Sequence, residues 1–331
     1  MSLCSGSSHI SPAFFLVNTL LDAKMKAKVQ ITELYKTSIS LIFLSLCRTT
    51  STQSSRTTEM GGGLSKGPWR TLPENKETLS FLKQYKPQNE EVTHLRILLY
   101  GPVGAGKSSF INSVDSVFQG RVAGRALTDA TSGDSYTQKY KSYKIHKDHQ
   151  SFYNFIFNDI VGLESDKGVQ VEDVKLALKG HVKDGYRFIS CHPLNENDIN
   201  YNPDPTLDDR VHVLVCVVPV GSVSILSDEV VKKMREVREA ARDLGISQLG
   251  ILTKPDQACP EVKANIKNLY TSKRLKEQVD KFSALLGFPP KSIFLVKNYN
   301  SEDETSDDMN AQILIALTKI VRFGEDFLND Q

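Results

Sequence analysis

The chain has 331 residues, enough for one large domain or two small ones. Hydrophobic residues make up 40% of it and charged residues 24%, as in soluble globular proteins, and a net charge of +2 gives no grounds for nucleic acid or a strongly acidic partner. Five cysteines (Cys4, Cys47, Cys191, Cys216, Cys259) are scattered without a C-x-x-C pair, which argues against a disulfide framework or zinc site and for a reducing compartment.

Residues 1–67 read as an N-terminal extension and linker, short-helical or poorly ordered. Two apolar patches, Ala13 to Leu21 and Ile39 to Cys47, flank Lys24, Lys26, Lys28 and Lys36. Neither patch approaches the roughly 20 apolar residues that cross a bilayer, and the second lies too far from Met1 for a signal peptide. The polar run RTTSTQSSRTTEMGGGLSKG follows and reads as a linker. Within it, Met60 to Ser65 matches the N-myristoylation pattern M-G-x-x-x-[ST], but only if translation starts at Met60. In the chain as it stands Gly61 is internal, and a flexible glycine-rich linker is the better reading. With Met60 as the start, one acyl chain with Lys66 and Arg70 would give reversible membrane contact.

Residues 68–94 form a helical lead-in, with a helix around Glu77 to Tyr85 and Trp69 as an anchor onto the domain that follows, residues 95–328. In that domain the pattern predicts strands at Leu95–Tyr100, Tyr136–Ile145, Phe152–Ile160, Val211–Pro219, Leu249–Leu252 and Ser292–Val296. Helices are predicted at Ser109–Phe118, Asp228–Asp243, Ser272–Leu286 and Ala311–Phe323. The near-continuous apolar run VHVLVCVVP reads as a central parallel strand buried on both faces. The alternation predicts an α/β fold, three-layered, around a mostly parallel, doubly wound sheet. Gly185 to Arg210 reads as a long surface loop, and His146, His149, His192 and His212 as ordinary strand or loop residues.

Gly101-Pro102-Val103-Gly104-Ala105-Gly106-Lys107-Ser108 fits the phosphate-loop pattern G-x-x-x-x-G-K-[ST], set between a predicted strand and a predicted helix. There the backbone N–H groups converge on phosphate oxygens and the helix points its positive end at them. Lys107 reaches the terminal phosphates, and the Ser108 hydroxyl completes the shell of a Mg²⁺ ion. Asp159-Ile160-Val161-Gly162 gives D-x-x-G at a strand end, where Asp159 would hold Mg²⁺ through water and the Gly162 N–H would sense the γ-phosphate. Thr253-Lys254-Pro255-Asp256 gives T-K-x-D at the end of another strand. A carboxylate there accepts from both the ring N–H and the exocyclic amine of guanine. Adenine presents the opposite polarity, and the mismatch costs on the order of kilocalories per mole.

Taken together these residues resemble the P-loop GTPases. The run RILLYGPVGAGKSSFINSV with NDIVGLE, LTKPD and VKNY is similar to the interferon-induced protein 44 family, over about residues 68 to 325. The resemblance implies a cytoplasmic, interferon-responsive protein of antiviral defence that binds GTP or GDP with Mg²⁺. It also implies a protein partner or self-association that the sequence does not identify. Longer members carry a TLDc-type domain; these residues leave no room for one, so nothing of that domain is carried over. Matched to the GTPase pattern, Gly104, Ala105, Gly106, Lys107, Ser108 and Ser109 enclose the phosphates, with Gly101 opening the loop. Ser108 and Asp159 hold magnesium, and Thr253, Lys254 and Asp256 read the base. Lys297 and Asn298 are candidates for the loop over guanine. The first switch falls in Gly124 to Tyr136, where Thr131, then Thr128, is the candidate Mg²⁺ ligand. Many small GTPases carry a glutamine directly after D-x-x-G; here Leu163 and then Glu164 stand there, so no catalytic residue is assigned. Two functions stay open: a GTP-binding switch with slow or partner-assisted hydrolysis, and a nucleotide-bound scaffold without significant hydrolysis. Thr253 to Asp256 disfavours a third, a P-loop ATPase or kinase.

Overall fold

The computed structural model describes residues 63–124, 126, 139–164, 168–189 and 192–331, all within the compact unit Met60–Gln331. The readings made for the extension before residue 63 (Met60, Gly61, Cys4 and Cys47 included), for Thr128 and Thr131, and for Cys191 lie outside the described residues.

Six strands form one sheet: β1 (Leu95–Tyr100), β2 (Lys141–His146), β3 (Phe152–Asp159), β4 (Val213–Pro219), β5 (Ser247–Thr253) and β6 (Ile293–Val296), in the spatial order β2-β3-β1-β4-β5-β6. Only β2 runs antiparallel to its neighbour; the other pairings are parallel. In β4 every residue from Val213 to Val218 is buried, as expected of a strand covered on both faces.

The helices that cover the sheet are α1 (Asn75–Gln84), α2 (Lys107–Gln119), α3 (Val171–Leu178), α4 (Asp228–Asp243), α7 (Lys273–Leu286) and α8 (Asp307–Asn329). The short turns α5 (Pro255–Ala258) and α6 (Pro260–Ala264) lie between β5 and α7. α8 crosses β1, β4, β5 and β6 and meets α1 and α2, whereas α4 packs on β5 and against α3 and α7. Close approach is bought with glycines: a Cβ on Gly324 would lie 2.3 Å from Leu95 Cδ1, and one on Gly250 would lie 2.6 Å from Phe282. The result is the expected three-layer P-loop architecture, and the parallel strands end at one edge, where open α/β sheets bind ligands.

Four readings change in detail. The second strand begins at Lys141, because β3 ends opposite it at Asp159. Tyr140 pairs instead with Gly185 and Tyr186. α8 is longer at both ends than the apolar stripe suggested, since Ser306 caps it by accepting from Met309 N and the acidic pair Asp307–Asp308 suits a first turn. α3, eight residues long, was missed. Residues 63–67, read as linker, are tied down: Ser65 N donates to Thr271 O at 2.8 Å and Lys273 N to Gly63 O at 3.1 Å. Trp69 does anchor the lead-in, edge-on to Tyr270 with ring centroids 4.8 Å apart.

His212 has a structural part. Its Nδ1 accepts from Arg96 N at 2.9 Å, which requires Nε2 to carry the proton that it donates to Leu207 O at 2.9 Å. Burial pushes its pKa down to about 4. Cys216 and Cys259 are buried free thiols.

Candidate functional site

The phosphate loop leaves β1 through a position that only glycine can occupy. Gly101 has φ 148°, and a Cβ there would lie 2.0 Å from the Val217 carbonyl oxygen. Gly104 and Gly106 are also left-handed, at φ 68° and 88°, and Gly106 opens α2. The loop is held from inside by Lys107, whose Nζ donates to the Pro102 and Gly101 carbonyls at 3.1 and 3.3 Å. Ser108, in the first turn of α2, donates from Oγ to Asp159 Oδ2 at 2.5 Å, so the two proposed metal ligands meet. Asp159 is fully buried, as is its neighbour Asn158.

D-x-x-G continues the edge of the sheet. Leu163 N donates to Gly101 O at 3.0 Å, and Pro102 and Leu163 form an isolated parallel bridge. A Cβ on Gly162 would lie 2.5 Å from Val103 N, so Gly162 is required for this approach. Leu163 itself is 1% exposed and belongs to the core cluster. The Glu164 carbonyl accepts from Lys233 Nζ at 2.8 Å.

The T-K-x-D segment comes down on the loop from the neighbouring strand end. Thr253 Oγ1 donates to Ala105 O at 2.6 Å and Lys254 Nζ to Gly104 O at 2.9 Å. Lys254 has φ 56°, the only non-glycine left-handed residue among those described. Such strain of about 1–3 kcal/mol persists where surrounding contacts fix it and is concentrated at functional sites. Asp256 sits in α5, half-buried, with no hydrogen bond or ion pair to any described residue.

After β6, Asn298 Nδ2 donates to Gly106 O at 3.1 Å, while its Oδ1 is buried and unpartnered. Lys297 pairs with Glu302 at 2.7 Å. Burial pushes the Glu302 carboxyl up, but hydrogen bonds from Lys297 and the Asn300 amide outweigh it and hold it below the ordinary value. These pieces enclose a cavity of about 250 Å³. Gly104 to Ser109 wall one side, and Lys254, Asp256, Lys297 and Asn298 the other. Gly101, Asp159, Gly162 and Thr253 are not on its wall: they shape the backbone or stand behind it.

Some supporting residues escaped sequence reading. Asn112 on α2 grips Ala126 in both directions, accepting its N–H at 2.7 Å and donating to its carbonyl at 2.9 Å, within the segment read as the first switch. Ser113 accepts from Tyr299 N at 2.9 Å and Gln312 from Lys297 N at 3.0 Å, so the loop after β6 is pinned from two helices. A buried Asn or Ser inside a helix was the available signal. Gln257, Asn300, Ser301 and Glu302 also line the cavity and were not singled out.

Over 253 residues the chain is 37% identical to interferon-induced protein 44 of Mus musculus, covering 76% of this chain and 60% of that protein. The Homo sapiens interferon-induced protein 44 is 33% identical over 257 residues, covering 77% of this chain and 58% of its own. Over these residues the chain is a homologue of interferon-induced protein 44. Homo sapiens interferon-induced protein 44-like is also 33% identical, covering 76% of this chain and 56% of its own. The chain thus spans 56% to 60% of the length of these interferon-induced protein 44 relatives. No protein-family model matches the chain. Among solved structures, Toc33 from Arabidopsis thaliana in complex with GDP and Mg²⁺ has 15% identity and a TM-score of 0.39, covering 78% of this chain and 94% of its own. A probable GTP-binding protein engB has 12% identity and a TM-score of 0.39, covering 71% and 100%. These likenesses are distant; the GTPase-like fold rests on this chain's own sheet order and phosphate loop.

Proposed function

We propose that this chain binds GTP and GDP with Mg²⁺ and acts in the cytoplasm, in an interferon-induced antiviral response, as a switch or scaffold with slow or partner-assisted hydrolysis. One observation carries the reading: the phosphate loop and Asp256 line the same cavity, and the Asp256 carboxylate has no partner among the described residues. A carboxylate so placed accepts two donors from guanine and repels the acceptor that adenine offers. Lys107 would exchange the loop carbonyls for phosphate oxygens. The Ser108 hydroxyl and Asp159 carboxylate are hard oxygen donors, which suit Mg²⁺, and the ion when bound would neutralise phosphate charge.

Leu163 favours weak hydrolysis. Its side chain is buried in the core and its N–H is held by Gly101, so it neither reaches nor polarises a water. A scaffold that holds nucleotide without turning it over is therefore the second reading.

Equilibrium titration of the full chain with GTP, GDP and ATP, with and without Mg²⁺, tests the proposal. GTP and GDP are expected to bind about tenfold or more tightly than ATP, the preference expected from one mispaired buried group. Ser108→Ala should blunt the Mg²⁺ dependence. Equal affinity for ATP would contradict guanine reading, and absence of binding would leave the fold as a scaffold without nucleotide.

A further inference from the structure

On the outer flank of the sheet, away from the nucleotide cavity and sharing no residue with it, lies a second cavity of about 480 Å³. Arg70, Lys276, Lys291, Lys319 and Arg322 line it, with no carboxylate among the lining residues, in a chain whose net charge is only +2. Four of the five cations form no ion pair among the described residues; Lys276 pairs with Asp280 at 2.6 Å. They come from four segments: the lead-in, α7, the turn before β6 and the second half of α8. Convergence is thus a product of the fold rather than of a basic run.

The cavity is built rather than splayed. The Arg70 guanidinium lies 4.1 Å over the Phe294 ring and donates from Nη2 to the Lys291 and Pro290 carbonyls at 3.0 and 3.2 Å. Trp69 forms a second aromatic wall, with Lys276 Nζ 5.5 Å from its ring centre. Two polar atoms on lining residues, Trp69 Nε1 and Thr318 Oγ1, are buried without a hydrogen-bond partner, while the Arg70 guanidinium also meets the Tyr270 side chain. The indole nitrogen is an obligate donor, and the hydroxyl can donate or accept. A fold that gathers five cations and no carboxylate around one cavity favours an anionic ligand there. A single negative charge would answer only one of the cations, so the complement is an anion with several charges around a compact body.

We infer that this cavity binds a multiply phosphorylated organic ligand, as a free molecule or as the headgroup of a lipid. Phosphate supplies several acceptors per group, and Arg presents a planar fork to it. The aromatic walls face the body that carries the phosphates. The inference goes beyond the nucleotide reading and does not depend on it.

Trp69 is the only tryptophan in the chain, so its fluorescence reports on this wall directly. Inositol hexakisphosphate would be titrated into the full chain in the presence of excess GDP and Mg²⁺, and again into Lys107→Ala, which separates this cavity from the nucleotide site. The expected result is a saturable change in emission, the same in both proteins. Lys319→Glu should weaken it by about tenfold or more, as should Lys291→Glu, while Lys232→Glu, at an exposed position of α4 far from the cavity lining, leaves it unchanged. Should a charge reversal unfold the chain, Lys319→Ala and Thr318→Val give smaller losses in the same direction. Vesicles with and without a phosphoinositide, sedimented with the protein, separate the two sources: retention on phosphoinositide vesicles assigns a lipid headgroup, and binding of the soluble probe alone a free organophosphate. Neither probe binding, equal loss with Lys232→Glu, or a response reproduced by sodium sulfate at matched ionic strength would overturn the inference.

Discussion

Thr253 Oγ1 donates to the Ala105 carbonyl at 2.6 Å, a fully buried bond between the end of β5 and the crown of the phosphate loop. It joins the part of the chain that would read a base to the part that would hold phosphates. Thr253 was expected at the base itself; the structure turns its hydroxyl onto the loop instead. Thr253→Val keeps the shape and removes the donor, leaving a buried carbonyl unsatisfied at about 1–3 kcal/mol. Urea unfolding should show that loss. Nucleotide affinity should fall with it, and unchanged affinity would mean that the bond is only structural.

Gly101→Ala is expected to be far more damaging than Gly104→Ala. A Cβ at Gly101 would meet the Val217 carbonyl oxygen at 2.0 Å, whereas nothing lies within 4 Å of one at Gly104. Gly101, at φ 148°, also lies further from any conformation that alanine adopts than Gly104 at φ 68°, so clash and strain act in the same direction. Gly101→Ala should lower stability by about 2–4 kcal/mol more than Gly104→Ala in denaturant titrations.

Leu163→Gln tests whether sequence position equals function. In the pattern of small GTPases that substitution would restore a water-orienting glutamine. Here the side chain points into the core at 1% exposure, so the amide would be buried. Single-turnover assays should show no faster GTP hydrolysis, and stability should drop by about 1–3 kcal/mol. A clear gain in rate would show that the segment rotates toward the nucleotide.

Acid should unlatch His212. Its folded pKa, pushed down to about 4 by burial, lies below the ordinary 6.5, so the unfolded chain binds the extra proton first. Stability from this group is therefore full above about pH 6.5 and is lost as pH falls toward 4, by about 3 kcal/mol in all. Protonated Nδ1 would face the Arg96 N–H that it now accepts. Comparing unfolding free energies of wild type and His212→Gln between pH 7 and pH 4.5 should show the gap between them narrowing as pH falls.

Much of this architecture was legible because its signals are local. Lys107 and Ser108 follow directly on Gly106, the last of three glycines in six residues, β4 is a solid apolar run, and Ser227 and Ser272 cap α4 and α7 near the predicted boundaries. What was not legible depends on distance in the chain. Asn112 gripping Ala126, Ser113 holding Tyr299 and the left-handed Lys254 follow from tertiary placement, which periodicity does not encode. α3 is too short for its period to stand out between a strand and a loop. The first turn of α8 is hidden because Ser306 and two aspartates resemble the acidic loop before them. The basic cavity is the extreme case, since Arg70 and Arg322 are far apart until the fold joins them.

Asp256→Asn, read by competition between GTP and XTP, tests the central claim most directly. Wild type should prefer GTP. The variant, which offers a donor where the carboxylate only accepts, should shift toward XTP by about ten- to a hundredfold, with Lys107 and the phosphate loop untouched. An unchanged preference would mean that Asp256 does not meet the base, and guanine reading by this cavity would be wrong.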